Sequence, residues 1–378
     1  MLTEEQQLIQ QTARNFAQAE LAPHAGQWDR ESRFPADAVK RMGELGFLGM
    51  IAPGEWGGGG ADQVSHALAL EEIAAGDGSC STIMSVHNSV GCMPIAAFGD
   101  DEQKRRFLRP LATGQKLGAF ALTEPHAGSD ASAIRTRAEF DGQCYTLNGT
   151  KQFITSAKNA DTVIAFAVTD VGAGKRGISA FIVPTDAPGY RVSRLESKLG
   201  QRASDTAQLT FDNMRLTPAH RLGEEGQGYR IALSNLEGGR IGIAAQSVGM
   251  ARAALAAALA YAKERKTFGE LLIKHQAVAF RLADMSTQIE AAHLMTCNAA
   301  ALKDRGEPCL KQASMAKLFA SEMAEKVSSD ALQIHGGYGY VNGYPVERIY
   351  RDVRVTQIYE GASDIQRMLI ARALEEAD

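Results

Sequence analysis

The sequence has few of the features that mark secreted, zinc-binding or nucleic-acid-binding proteins. It contains five cysteines, an odd number with no Cys-x-x-Cys pair, so neither a disulfide framework nor a zinc site is expected. Its 40 Lys and Arg residues are fewer than its 44 Asp and Glu residues, and they are spread along the chain. We therefore expect free thiols and neither a nucleic-acid nor a membrane partner, because an electrostatic grip on those partners needs a basic face.

Targeting and membrane signals are also missing. The first residues, Met1–Gln6, are acidic and are not followed by an apolar core, so no leader is predicted and a cytoplasmic location is expected. The most apolar stretch, Ala251–Ala262, is interrupted by Arg252 and is predicted to be too short for a membrane span.

Several chemical motifs are absent. No G-x-G-x-x-G follows a strand, and no G-x-x-x-x-G-K-[ST], H-E-x-x-H or G-x-S-x-G occurs. The eight histidines form no ligand-spaced pair, so no metal is expected. A catalytic function would therefore need a bound organic cofactor.

Three zones of different character predict a mixed fold, with an all-α N-terminal domain, a middle β domain and a C-terminal four-helix bundle. Their predicted bounds are 1–118, 119–228 and 229–378. The middle zone has short β-rich runs, and Asn148-Gly149 predicts a hairpin turn. In the last zone Val278, Leu282, Met285 and Ile289 repeat at helical spacing.

Six separated segments of the chain are informative when they are taken together and in order. They are Phe120–Asp130, Lys151–Thr155, Leu236–Ala244, Glu264–Gly269, Gln333–Gly339 and Gln357–Gly361. In this order they resemble the acyl-CoA dehydrogenase family over nearly the whole chain. The resemblance implies an α–β–α fold, FAD as cofactor, an acyl-CoA substrate, a homo-oligomer expected to be a tetramer, and electron-transfer flavoprotein as electron acceptor.

The resemblance also implies a set of FAD-binding residues. Without it, these positions would be predicted as a polar turn, a core Phe153, solvated Arg265 and Gln276, and a helix end capped by Gly336. Phe153 stands where the family more often has Trp. The FAD-binding set is Phe120, Leu122, Thr123, Gly128, Ser129, Phe153, Ile154, Thr155, Arg265, Phe268, Gln276, Gln333, Ile334, His335, Gly336, Gly337, Ala362, Ser363 and Asp364.

Glu360 matches the catalytic base of the family, which takes the α-proton while the β-hydrogen leaves as hydride to flavin N5. Glu360 precedes Ser363–Gln366, a predicted capping box, so a solvated glutamate near a helix end is the alternative. Next to Ile358 and Tyr359 it is predicted to enter an apolar pocket that raises the pKa of its carboxyl. The substrate-binding set is Ser129, Glu237, Gly238, Gly239, Arg240 and Gly361.

The type of acyl group and the class of reaction leave alternatives open. Ala362 and the stretch Gly239–Ala245 are similar to the short/branched-chain type, while His335–Tyr340 is closer to the isobutyryl type. We therefore expect a short or branched acyl group. An acyl-CoA oxidase or flavin monooxygenase on the same fold, and a non-catalytic helical scaffold or nucleic-acid-binding relative, are the alternatives.

Overall fold

Two helical regions flank a sheet in the structure, a computed structural model that describes residues 2–376. Helices occupy the chain up to Ala112, strands lie between Gly118 and Leu222, and helices follow from Gly228 onward. The predicted fold class is therefore confirmed. The domain bounds stay a prediction, and residues 1 and 378, at their outer ends, lie outside the described residues.

Side-chain caps fix the starts of several N-terminal helices. The predicted capping box at Thr3 and Gln6 is present, and Asp100 forms a second one with Gln103. α4 is buried along nearly its whole length, which places it at the centre of this region. The helices are α1 (Glu4–Phe16), α2 (Ala22–Glu31), α3 (Ala36–Glu44), α4 (Gln63–Gly76), α5 (Gly78–Val86), α6 (Met93–Phe98), α7 (Asp101–Gln103) and α8 (Arg109–Ala112).

The middle region is an eight-stranded, mostly antiparallel sheet in the order β6-β7-β3-β2-β4-β5-β8, to which β1 adds in parallel beside β4. In β4, Ile164 and Phe166 face a core shared with the flanking helices, while Val163 and Ala165 face a second core inside the sheet region. Burial on both faces explains the continuous apolar run of this strand. The strands are β1 (Gly118–Ala121), β2 (Arg137–Phe140), β3 (Tyr145–Thr155), β4 (Thr162–Val168), β5 (Ile178–Pro184), β6 (Tyr190–Leu195), β7 (Thr206–Leu216) and β8 (Arg221–Leu222).

The hairpin predicted at Asn148-Gly149 is wrong, because β3 continues through both residues. The pairing of β3 with β7 slips opposite Asn148, where Asn213 is an extra residue with φ +47°. The backbone N–H of Asn213 donates to Asn148 Oδ1 at 2.8 Å. Gly149 is needed for close packing instead, since a Cβ there would lie 2.4 Å from Thr136 Oγ1.

The C-terminal region is built around α9 (Gly228–Glu264), a helix of 37 residues and roughly 55 Å that packs against α4 and α11. The apolar positions Leu282, Met285 and Ile289 of α10 are buried as predicted. The short strands β9 (Lys266–Thr267) and β10 (Glu270–Leu271) join α9 to α10. The other helices are α10 (Gln276–Asp304), α11 (Leu310–His335), α12 (Gly337–Tyr340), α13 (Pro345–Val353) and α14 (Ser363–Glu375).

The prediction that no stretch is long enough to span a membrane is wrong for α9. Its charges are sparse enough that, by length and composition alone, α9 has the character of a membrane span. However, 61% of its most apolar window is buried inside the protein. Such burial is what a central core helix requires, so the apolar length of α9 is explained by packing.

Candidate active site

Glu360 lies in a tight turn between α13 and α14 and has a left-handed backbone, with φ +54°. Gly361 follows with φ +89°. A left-handed conformation costs a non-glycine residue about 1–3 kcal/mol, so it persists only where the surroundings hold it. The preceding Tyr359 anchors one side of the turn, because its hydroxyl donates to the buried Gln246 Oε1.

Gln366 anchors the other side, and the predicted capping box at Ser363–Gln366 is wrong. The helix is capped at Ala362, which has no side-chain acceptor, and Ser363 is already helical. The Gln366 amide, fully buried, donates instead to the carbonyls of Gly361 at 2.8 Å and Glu360 at 3.3 Å. The side chain that the pattern assigned to a cap therefore holds the turn that carries Glu360.

The Glu360 carboxylate lies directly against Gly239 of α9. A Cβ at Gly239 would be 2.7 Å from Glu360 Oε2 and 3.1 Å from its Cδ, closer than any ordinary contact. The Oε2 atom is buried and has no hydrogen-bond partner among the residues described. Only glycine at position 239 leaves this space to the carboxylate.

Two cations face the Glu360 carboxylate, Arg240 from α9 and Lys317 from α11. Burial raises the pKa of Glu360 above its ordinary value, and the two cations oppose that rise. The predicted direction of the pKa shift is therefore confirmed, but its predicted surroundings are wrong. Ile358 is 57% exposed, and the Tyr359 hydroxyl lies in a polar network, so neither forms an apolar pocket.

A cleft of about 570 Å³ opens beside this site. Of the predicted substrate residues, Glu237 and Arg240 line it. Glu237 is held by Lys303 Nζ, 3.3 Å from its Oε1. Three basic residues that were not predicted also line the cleft, namely Lys175, Arg176 and Arg230. Lys175 and Arg176 form a Lys-Arg pair in a glycine-rich loop, which was a usable signal in the sequence.

The predicted flavin loop is joined to β3 by main-chain hydrogen bonding, from the N–H of Gln152 to the carbonyl of Thr123 at 2.9 Å. Phe153 has φ +59° and is 63% exposed, so it is not the core residue that the alternative expected. Leu122 is buried, and Phe120 packs on Phe166 with ring centroids 4.9 Å apart. The Leu122 side chain belongs to the core, whereas the Phe120 side chain is only partly buried and packs against the core, so part of it could still face a ligand.

A buried ion pair between Lys151 and Glu124 anchors this loop. Lys151 Nζ donates to Glu124 Oε1 at 2.8 Å and to the Leu122 carbonyl at 3.1 Å. Glu124 also accepts from the N–H groups of Arg135 and Thr136 at 2.6 and 3.0 Å. Lys151 is fully buried and Glu124 nearly so. The pair therefore fixes the main chain on both sides of Thr123.

These residues fit a ligand with a flat ring and an anionic part. The exposed Phe153 offers an aromatic wall. The N-terminus of α14 lacks a side-chain cap, which leaves its first N–H groups for an anion, and the buried Ser363 Oγ has no partner in the described part of the chain. Ile154 is buried, while Gly128, Ser129 and Asp364 are exposed.

A third group of predicted residues surrounds a separate cavity of about 500 Å³ at the far end of α9. Arg265, Ile334, His335, Gly336 and Gly337 line it, and the exposed residues Gln276, Gln333 and Phe268, the last 94% exposed, lie on neighbouring segments. The His335 ring is buried and stacks on Tyr261 with centroids 4.5 Å apart. Arg265 lies about 39 Å along the helix from Gly239. The structure therefore does not bring this group to the Glu360 site of the same chain.

No group of three or more His, Cys, Asp or Glu residues between positions 2 and 376 is placed to hold a metal ion. All five cysteines are free thiols.

Comparison with known proteins identifies three consecutive matches. The family models for the N-terminal, middle and C-terminal domains of acyl-CoA dehydrogenase match residues 3–115, 119–214 and 226–375. The chain is 50% identical over 370 residues to the mitochondrial short-chain specific acyl-CoA dehydrogenase of Bos taurus, covering 98% of this chain and 90% of that protein.

Solved structures agree with these matches. Butyryl-CoA dehydrogenase from Megasphaera elsdenii has a TM-score of 0.98 at 43% identity, covering 100% of this chain and 99% of that one. A glutaryl-CoA dehydrogenase from Mycobacterium smegmatis in complex with FADH2 has a TM-score of 0.94 at 34% identity, covering 100% and 96%.

Proposed function

The chain belongs to the acyl-CoA dehydrogenase family and is an FAD-dependent oxidoreductase, and we propose that it converts a short or branched acyl-CoA to the trans-2-enoyl-CoA with Glu360 as the base. The observation that carries this proposal is the buried Glu360 carboxylate, held against Gly239 in a strained turn. The similarity to a short-chain and a butyryl-CoA dehydrogenase supports the short acyl group.

The proposed step breaks two C–H bonds and forms one C=C bond. Glu360 accepts the α-proton, and the main-chain N–H of the same residue is available to the thioester oxygen, on which negative charge develops. FAD, when bound, supplies the acceptor for the hydride that leaves the β-carbon. Burial of Glu360 raises its pKa, which makes it a stronger proton acceptor than an exposed glutamate.

We propose that the cleft beside Glu360 holds the coenzyme A portion of the substrate. Its phosphates are anionic, and Lys175, Arg176 and Arg230 supply positive charge. Glu237 is paired with Lys303 at the same entrance, so it presents little free negative charge. Ser129, Gly238 and Gly361 stay predicted substrate contacts.

FAD would be held in one chain by the predicted contacts around Thr123, around Phe153 and Thr155, and at the start of α14. The predicted contacts near Arg265 and Gln333 would come from a second chain. Arg265 and Gln333 lie too far along the bundle to serve Glu360's own FAD, so they support a site shared across a subunit boundary. We therefore propose a homo-oligomer, a tetramer as the resemblance implies.

Electron-transfer flavoprotein is the proposed electron acceptor, and the cytoplasm the proposed location. An oxidase or monooxygenase would differ in reacting rapidly with oxygen. The rate of flavin reoxidation in air therefore distinguishes a dehydrogenase from these two kinds of enzyme. Membership of an enzyme family sets aside the scaffold and nucleic-acid-binding alternatives.

The space left by Gly239 gives a first test. In Gly239→Ala the new Cβ displaces the Glu360 carboxylate, and because a shift of about 1 Å can cost 10²-fold, we expect flavin reduction to slow by roughly 10- to 10²-fold. FAD content should stay at the wild-type level. Gly26→Ala, in α2, is the matched control, since its Cβ would meet only the flexible Arg30 side chain at 3.4 Å. If the flavin of Gly239→Ala were reduced at the wild-type rate, the proposed position of the base would be contradicted.

A panel of acyl-CoA thioesters with an artificial electron acceptor tests the proposed substrate class. We expect the highest kcat/KM with butyryl- or a branched short acyl-CoA, and a lower value for each longer chain. Activity that is highest with long-chain substrates would contradict the short-chain proposal while leaving the dehydrogenase reaction intact.

A further inference from the structure

A fully buried lysine of α11 contacts the turn that carries Glu360. Lys317 is 0% exposed, and its Nζ donates to the carbonyl of Gly361 at 2.8 Å. On α11 it shares a face with Ala313, Ala320 and Ala324, which are all buried, so a long charged side chain stands among small buried ones. Burying an ammonium group is costly unless it is paired, so its retention here requires a partner.

The Glu360 carboxylate supplies a negative charge that acts on Lys317 through space, without a direct ion pair between the two groups in the described part of the chain. The charged groups that face Glu360 are Lys317 from α11 and Arg240 from α9, and Tyr359 adjoins it in the turn. Arg240 also interacts with Glu237 at the mouth of the cleft. Among the described residues, Lys317 is affected by the Glu360 carboxylate and, in the opposite sense, by Arg240. Lys317 therefore offers this turn both a hydrogen bond and a positive charge.

We propose that Lys317 is a positioning residue of the reaction, which holds the Glu360–Gly361 turn through the Gly361 carbonyl and brings a positive charge to the side of the turn that carries the Glu360 carboxylate. This inference rests on the proposed role of Glu360. Gln366 donates to the same carbonyl at 2.8 Å, but it is neutral and supplies no charge. Burial lowers the pKa of Lys317 to about 8, so the ammonium form that the proposal requires is the major form at pH 7.

Three substitutions separate the charge from the hydrogen bond. Lys317→Met removes both, Lys317→Gln keeps a donor without the charge, and Lys317→Arg keeps both. Without the cation the neutral form of Glu360 is favoured, so its pKa rises and the acid limb of the pH–rate profile moves to higher pH. The expected shift is roughly one pH unit or more for Met and Gln. At pH values above the limb, Met should still lose about tenfold through misplacement of the turn, and Gln less.

The measurement is the anaerobic rate of flavin reduction by butyryl-CoA as a function of pH. Lys317→Arg should keep the acid limb near that of the wild type. Lys198→Met is the matched control, because Lys198 is another largely buried lysine that donates to a main-chain carbonyl, that of Ser204, but faces Asp205 and Asp352. An unmoved acid limb in Lys317→Gln, or an equal shift in Lys317→Arg, would overturn the proposal.

A second measurement does not depend on turnover. If wild-type flavin is reduced by no acyl-CoA, the proposed function fails, and the Lys317–Glu360 interaction is then measured by urea unfolding at pH 7. We compare the wild type, Lys317→Gln, Glu360→Gln and the double variant, whose unfolding midpoints should be non-additive in the direction that favours the native pair. Additive midpoints would mean that the two charges do not interact, and the proposal would be wrong.

Discussion

Glu360→Gln should bind FAD normally, but butyryl-CoA should reduce that FAD roughly 10²- to 10⁴-fold more slowly than it does in the wild type. The amide has nearly the shape of the carboxylate but cannot accept the α-proton. It can still occupy the space against Gly239 and leave the turn in place. The measurement is stopped-flow bleaching of the flavin band without oxygen.

Two further variants make this result specific. Glu360→Asp keeps the charge but withdraws the carboxylate, so its rate should fall between those of the wild type and the Gln variant. Glu322→Gln removes a half-exposed glutamate of α11 that pairs with Arg367, and should reduce flavin at the wild-type rate. A Glu360→Gln enzyme that reduces flavin as fast as the wild type would show that another group takes the proton.

Lys151→Met should destabilise the sheet region by about 3–5 kcal/mol, because it leaves the Glu124 carboxylate buried without its cation. The Leu122 carbonyl loses a donor in the same change, so the loop around Thr123 should loosen and retain FAD more weakly. Unfolding in urea is best followed by circular dichroism together with FAD release. Tryptophan fluorescence would not report on the sheet region, since both tryptophans, Trp28 and Trp56, lie in the N-terminal region.

The double variant Lys151→Met with Glu124→Gln should recover much of the lost stability, because it removes the unpaired charge. Arg215→Met is the matched control, since it breaks the exposed pair with Asp141 in the same sheet and should change the unfolding little. Equal effects of Lys151→Met and Arg215→Met would contradict the supporting role given to the buried pair.

Features that depend on short-range pattern could be predicted from the sequence. The capping box at Thr3 needs only residues three apart, and the buried face of α10 needs only helical spacing. The raised pKa of Glu360 could also be predicted, because a carboxyl that enters the interior is desolvated whatever surrounds it.

Features that depend on contacts between distant segments could not be predicted from the sequence. Asn148-Gly149 has the composition of a turn, but Thr136 and β7 decide its conformation. Gln366 stands at the position of a capping-box residue, yet its amide donates to the carbonyls of Glu360 and Gly361 instead. Lys317 gave one usable signal, a lysine among the small buried residues of α11, but the Gly361 carbonyl that it contacts lies 44 residues away in sequence.

The most direct test of the central claim is a single turnover of the wild-type enzyme. FAD-loaded protein is mixed with butyryl-CoA in the absence of oxygen, and the loss of flavin absorbance is compared with the amount of trans-2-enoyl-CoA formed. We expect rapid bleaching and one enoyl-CoA for each FAD reduced. Flavin that stays oxidised with butyryl-CoA and every branched short acyl-CoA, or that is bleached without formation of the enoyl product, would contradict it.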